Sequence, residues 1–221
     1  MSMHLNRDLE NLQRRILALA SAVEDVIDKS IRALFDRDAA LARKLIGGDT
    51  LIDFEENVIE EEALKILALH QPVAVDLRRV VAILKINTDL ERMADLAANI
   101  AERALALTQI PESPVPPTFR QMTDLTNTMV RDSLDAFVNL DATLAKRVCR
   151  MDDEVDRYNR EIIDNVSVLL KRSPENVDAG LHLFSAARQL ERIADHATNI
   201  AEDVVYLIDG KIIRHHPEAL A

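Results

Sequence analysis

Apolar residues recur at steps of four and three along Ile86, Leu90, Met93, Ala97, Ile100, Ala104 and Leu107. That spacing keeps one face of an α-helix apolar, so the segment predicts a helix with one stripe turned into a bundle. A second run, Leu190, Ile193, Ala197, Ile200, Val204 and Leu207, takes the same register after a shift of 100 residues. Amphipathic segments on either side of these two complete a set of six long helices. In the first half they run from about Leu5 to Phe35, Ala39 to Leu69 and Val73 to Leu107. In the second half they run from about Phe119 to Asn139, Asp141 to Leu170 and Pro174 to Ile208. Arg37-Asp38 separates the first two. Pro72 suits the first turn of the third, Ser173 an N-cap with Pro174 after it, and Gly210 a C-terminal stop.

Pro111, Pro114, Pro116 and Pro117 fall within seven residues. Helix cannot run through them, so the chain divides into residues 1–109, a linker at 110–118 and residues 119–221. Each half reads as a three-helix bundle. The halves are also related in sequence: LERMADLAANIAE at Leu90–Glu102 and LERIADHATNIAE at Leu190–Glu202 share ten of 13 positions. Chance similarity between amphipathic helices preserves apolar positions, not Glu, Arg, Asp and Asn as well. The pattern is that of a duplication.

Composition narrows the class. There are only 4 Gly, and aromatics make up 3%, while Ala, Leu, Glu and Arg abound; this favours helices over strands and predicts an all-α fold. The net charge of −11 disfavours a nucleic-acid partner, because phosphate backbones are met by basic faces. Cys149 is the single cysteine, so no internal disulfide forms, and its expected place is as a small buried hydrophobe in a reducing cytosol. No segment resembles a signal peptide or a run of about 20 apolar residues. A cytoplasmic protein that meets membranes only through partners is expected.

The repeat carries Glu-x-x-x-Asp twice, as Glu91 with Asp95 and Glu191 with Asp195, followed by Asn99 and Asn199. Residues four apart share a helical face, so the paired carboxylates repel and a cation between them relieves the repulsion. The helices before them hold Asp49 with Asp53 and Asp152 with Asp156, also four apart. In an up-down-up bundle the two motifs of each half face one another. Hard oxygen donors at this density suit Mg²⁺, Ca²⁺, Mn²⁺ or iron. The competing reading is a solvated acidic face, since helical phase puts these acids on the outer side, away from the Leu90/Met93/Ala97/Ile100 stripe. Arg92 and Arg192 are expected in structural ion pairs. His196, whose counterpart is Leu96, is expected to be structural, and His70 to sit at a helix end; His215 and His216 lie in the C-terminal tail.

No nucleophile elbow, P-loop or Gly-rich phosphate cradle is present, so no catalytic activity is expected. A di-metal carboxylate oxidase or storage protein is the alternative, as is a plain divalent-ion-binding scaffold. Di-metal sites of the ferritin type use Glu-x-x-His pairs facing the core, and no His here follows a Glu by three.

Together, LERMADLAANI, LERIADHATNI, the aspartate pairs and HQPVAVDLRRV at His70–Val80 resemble the PhoU family over nearly the whole chain. Gln71, Pro72, Asp76, Leu77 and Arg78 match that family's QP-x-x-x-DLR stretch. The resemblance implies two three-helix bundles in pseudo-twofold arrangement. It implies metal sites, one on Asp49, Asp53, Glu91 and Asp95 with Asn99, the other on Asp152, Asp156, Glu191 and Asp195 with Asn199. The occupant would be an iron cluster or divalent metal, with Fe, Mn, Mg, Zn or Ni all open. It implies a negative regulator of the phosphate-starvation response that modulates phosphate uptake. The partners implied are the ATPase subunit of a phosphate ABC importer and a sensor histidine kinase, with a homodimer expected. Ala94 and Ala194 stand where the family often has Gly.

Overall fold

A computed structural model describes residues 3–47, 50–111, 115–172, 176–211 and 213. Its helices are α1 (Met3–Phe35), α2 (Ala39–Ile46), α3 (Thr50–His70), α4 (Ala74–Leu107), α5 (Pro117–Asn139), α6 (Ala142–Arg172) and α7 (Val177–Asp209), with no strand among the described residues. The six-helix plan holds, with its second helix in two segments. The first of these, α2, closes on Gly47 at φ −100°, at a Gly-Gly step where each glycine costs a helix about 1 kcal/mol relative to alanine. Pro72 stands outside α4 rather than in its first turn, because α4 opens at Ala74. Ser173 and Pro174 lie outside the described residues, as do His215, His216 and Asp49. Gly210 ends α7 in the left-handed region at φ 69°, its N–H bonded to Tyr206 O, a conformation glycine adopts without a Cβ penalty.

The two turns that follow the first helix of each half are built alike. Asp38 Oδ1 accepts from the N–H groups of Ala40 and Leu41 at 3.0 and 2.9 Å. Asp141 Oδ1 accepts from Thr143 and Leu144 at 2.9 and 3.0 Å. Each carboxylate satisfies amides that have no partner inside the helix. Substituting either aspartate by alanine is expected to lower stability by about 1 kcal/mol, read as a shift in the urea midpoint. An unchanged midpoint would show that water replaces the cap at no cost.

All residues of both apolar stripes are buried. The helices that carry them, α4 and α7, pack antiparallel against each other at the centre. Arg78 near the start of α4 donates to Leu207 O at the end of α7, and Lys85 pairs with Asp203 one to two turns further in. The remaining helices lie outside this pair, with α1, α2 and α3 on α4 and α5 and α6 on α7. At Gly180 of α7 an added Cβ would stand 2.7 Å from Leu170 Cδ2 of α6, so the missing side chain allows a close approach there. The outer helices α1 and α5 also meet, through an edge-to-face contact of Phe35 with Phe119 at 5.9 Å and Arg120 stacked 4.3 Å from the Phe35 ring centre. Cys149 of α6 is half-buried, and burial followed by the charge of Glu202 pushes its thiol up to about 12, so it stays protonated and unreactive.

Candidate metal centres

The up-down-up course of each half brings the predicted motifs together. In the second half, Asp152 and Asp156 of α6 face Glu191 and Asp195 of α7. The Thr198 hydroxyl donates to Asp152 Oδ1 at 3.3 Å. Burial, then the charges of Asp195 and Asp156, push the Asp152 carboxyl up to about 6. The carboxyls of Glu191 and Asp195 are raised for the same reasons, burial first; Asp195 comes next for Glu191, and Asp156 for Asp195. The four groups therefore repel one another inside a partly dry cleft. Arginines sit at the margin: Arg188 meets Glu191 at 2.6 Å and Arg160 meets Asp156 at 3.6 Å.

In the first half, Asp53 of α3 faces Glu91 and Asp95 of α4. Burial, followed by the charge of Asp95, raises the Glu91 carboxyl, and Glu56 and Asp53 add to the effect. Arg92 pairs with Glu91 at 3.2 Å and with Asp95 at 3.5 Å, which is the structural role expected for it. Asp49 lies outside the described residues. Glu56 belongs to the group although sequence reasoning passed over it. Its carboxyl is raised by burial and then by Glu60 and Asp53. The signal was available, since Glu56 follows Asp53 by three residues and shares its face. Beside it, Asn87 is buried and donates from Nδ2 to Glu56 O at 2.9 Å.

One expectation changes. The glutamates are not on an open outer face: the side chains of Glu91 and Glu191 are only 23% and 12% exposed, because α3 and α6 lie over them. Asp95 and Asp195 are exposed as expected. Asn199 also reaches α4, where its amide donates to Asp89 Oδ1 at 3.4 Å. His196 reaches the same oxygen through Nδ1 at 2.7 Å, which gives this histidine a structural place between the halves. Asn99 is half-buried on α4.

Among the described residues no group of three or more His, Cys, Asp or Glu side chains is positioned to hold a metal ion. The donor set fits one chemically. It consists of carboxylate oxygens held in mutual repulsion, and Glu191 Oε2 is buried with no hydrogen-bond partner, which is costly for a charged acceptor. A hard cation satisfies both conditions.

Comparison with known proteins addresses identity. A family model described as the PhoU domain matches residues 16–104 and 119–204, one match for each half. A phosphate-specific transport system accessory protein PhoU homolog from Pseudomonas putida is 38% identical over 97% of this chain and 84% of its own length. The homolog of the same name from Aquifex aeolicus is 39% identical over 96% of each. The crystal structure of PhoU from Pseudomonas aeruginosa superposes with a TM-score of 0.88 at 37% identity, covering 93% of this chain and 99% of that one. The phosphate transport system regulatory protein PhoU from Streptococcus pneumoniae gives a TM-score of 0.87 at 31% identity, covering 94% and 98%. With both halves matched by the domain and the whole chain followed by these relatives, this protein belongs to the PhoU family of phosphate-transport accessory proteins.

Proposed function

We propose that this chain modulates phosphate uptake and represses the phosphate-starvation response as a cytosolic homodimeric adaptor. Its partners are the ATPase subunit of a phosphate ABC importer and a sensor histidine kinase. The observation that carries the reading is the presence of two PhoU domains in a chain whose relatives are named as phosphate transport accessory proteins. No described helix is long and apolar enough to cross a membrane, which agrees with contact through partners. An adaptor shifts a kinase toward its inactive state only by binding that state more tightly. The test is a phosphate-starvation reporter in phosphate-rich medium. Deleting the gene is expected to raise output, and the wild-type gene to return it to low. Output that stays low after deletion of this gene and any paralogue would sink the reading.

The carboxylate clusters belong to the same proposal as metal sites. Asp53, Glu91 and Asp95, with Asp49 and Glu56, would hold metal in the first half. Asp152, Asp156, Glu191 and Asp195 would hold it in the second. A bound cation supplies charge neutralisation there. The protein's own contribution is to present ionised oxygens from two helices at once. Elemental analysis of protein purified without chelator is expected to find iron or a divalent metal, reduced when Glu191 and Asp195 are both replaced by alanine. Protein free of Fe, Mn, Mg, Zn, Ni and Ca that takes up none on titration would overturn the metal sites while leaving the adaptor reading standing.

A further inference from the structure

The His70–Val80 stretch has no part in the carboxylate clusters, yet Val75, Asp76, Arg78 and Arg79 from it line a cavity. That cavity, of ≈ 510 Å³, lies at the end of the molecule where α4 begins and α5 and α7 end. Arg78 and Arg79 form one wall, with Asp76 beside them. Arg78 donates from Nε to Leu207 O at 3.3 Å, and Arg79 to Gln13 Oε1. Neither guanidinium is paired with a carboxylate among the described residues. Arg78 lies across the end of α7, within ordinary contact distance of Gly210. Two cations so placed stand out in a chain of net charge −11.

Most of the remaining lining is apolar. Val138 and Leu140 come from the end of α5, Val75 from the start of α4, and these three side chains are 43%, 56% and 57% exposed. Val73 and Leu77, close by in sequence, are also exposed, at 74% and 40%. Exposed aliphatic side chains converging from distant parts of a chain mark an interaction site. The backbone here is also unusual, since Gln71, Ala74 and Leu140 all have positive φ, at 45°, 50° and 52°. Non-glycine residues are held there only when their surroundings over-determine them.

We infer that this cavity docks a segment of a partner protein in which one or two carboxylates stand beside Leu, Ile, Val or Phe. The carboxylates meet Arg78 and Arg79, for which a planar guanidinium is suited, and the apolar residues cover Val75, Val138 and Leu140. Charge complementarity selects the acid. The exposed Val75, Val138 and Leu140 select a segment with apolar side chains over a small anion. The inference is independent of the metal sites and of the identity of the signalling partners.

The test is a display library of ten-residue peptides selected on the full chain, with winners measured by fluorescence anisotropy. Enrichment of Asp or Glu next to aliphatic residues is expected, together with a tenfold or greater weakening by R78Q/R79Q. Val75→Asp and Leu140→Asp place like charge on the exposed rim without touching the core. They are expected to weaken binding by a similar factor while leaving the unfolding midpoint unchanged. Aspartate tolerates the left-handed backbone at position 140. No enrichment, or winners indifferent to all four substitutions, would overturn the inference. So would arginine-dependent binding of inorganic phosphate or of anionic phosphatidylserine vesicles without peptide enrichment, or self-association lost in the rim variants.

Discussion

Replacing Lys85 by methionine is expected to destabilise the protein by about 2–3 kcal/mol. Lys85 leaves α4 with its side chain 46% exposed and reaches Asp203 on α7, whose side chain is only 5% exposed. The carboxylate is enclosed in the seam between the halves. Methionine keeps the length and apolar stem of lysine but removes the ammonium group, so a charge stays inside the seam without that cation. Partial access of water to Lys85 holds the cost to the lower part of the range for buried pairs. Thermal unfolding is expected to fall by about 5–10 °C. Adding Asp203→Leu to the methionine variant is expected to restore most of the loss, since apolar side chains of similar volume replace a buried ion pair at little cost. A single variant within about 0.5 kcal/mol of wild type would mean that the bridge does not help to join the halves.

Asp152→Asn is expected to act in the opposite direction. The Asp152 carboxyl is held near 6, against 3.8 for an ordinary aspartate, by burial, then Asp195, then Asp156. Between those two values the folded protein binds more protons than the unfolded chain, so stability falls as pH rises through the window and levels off above it. Glu191, Asp195, Glu91 and Glu56 are shifted in the same direction, and each adds to the slope. At pH 7.5 the metal-free wild type carries the full repulsion. The asparagine variant, which lacks one of the charges, is expected to be more stable there by about 1–2 kcal/mol after allowance for solvent screening. Its stability is also expected to vary less between pH 4 and 7. The same substitution removes a proposed ligand, so metal affinity is expected to drop about tenfold or more. A metal-free variant less stable than wild type at pH 7.5 would show that the carboxylate's bond to Thr198 outweighs its repulsion by its neighbours.

These contacts mark the boundary of what the chain's pattern discloses. The stripes on α4 and α7 were legible because burial follows helical periodicity directly. The helix boundaries at Asp38 and Asp141 were legible in the pattern, while their capping role emerged from the structure. The facing of α6 on α7 followed from short turns between antiparallel helices, which is why spacing alone suffices to group Asp152, Asp156, Glu191 and Asp195. The depth of Glu91 and Glu191 was not legible. Helical phase locates a residue around its own axis, but it does not say that a neighbouring helix will roll over that face. Asn199 was assigned to its own half because it continues the Glu-Asp spacing. Its bond to Asp89 depends on how α4 and α7 align end to end, about which local sequence is silent. The Leu96/His196 difference held a clue, since a duplicated position that turns polar on one side only has acquired a partner on the other.

The central pair of helices has a consequence for the history of the chain. A shift of 100 residues relates Lys85 to Ser185 and Arg103 to Asp203. Two identical halves joined through this seam would place the same pair of residues opposite one another twice. A molecule made of two copies of the first half would set Lys85 against Arg103, cation against cation. One made of two copies of the second would set Ser185 against Asp203 and leave a buried acid without its lysine. In the present chain Arg103 turns to its neighbour Glu102 at 2.8 Å, and the bridge is formed on one side alone. At this seam divergence thus favours pairing of unlike halves over pairing of like ones. Cutting this protein at its proline linker and doubling either piece would leave the seam without the Lys85–Asp203 bridge on either side.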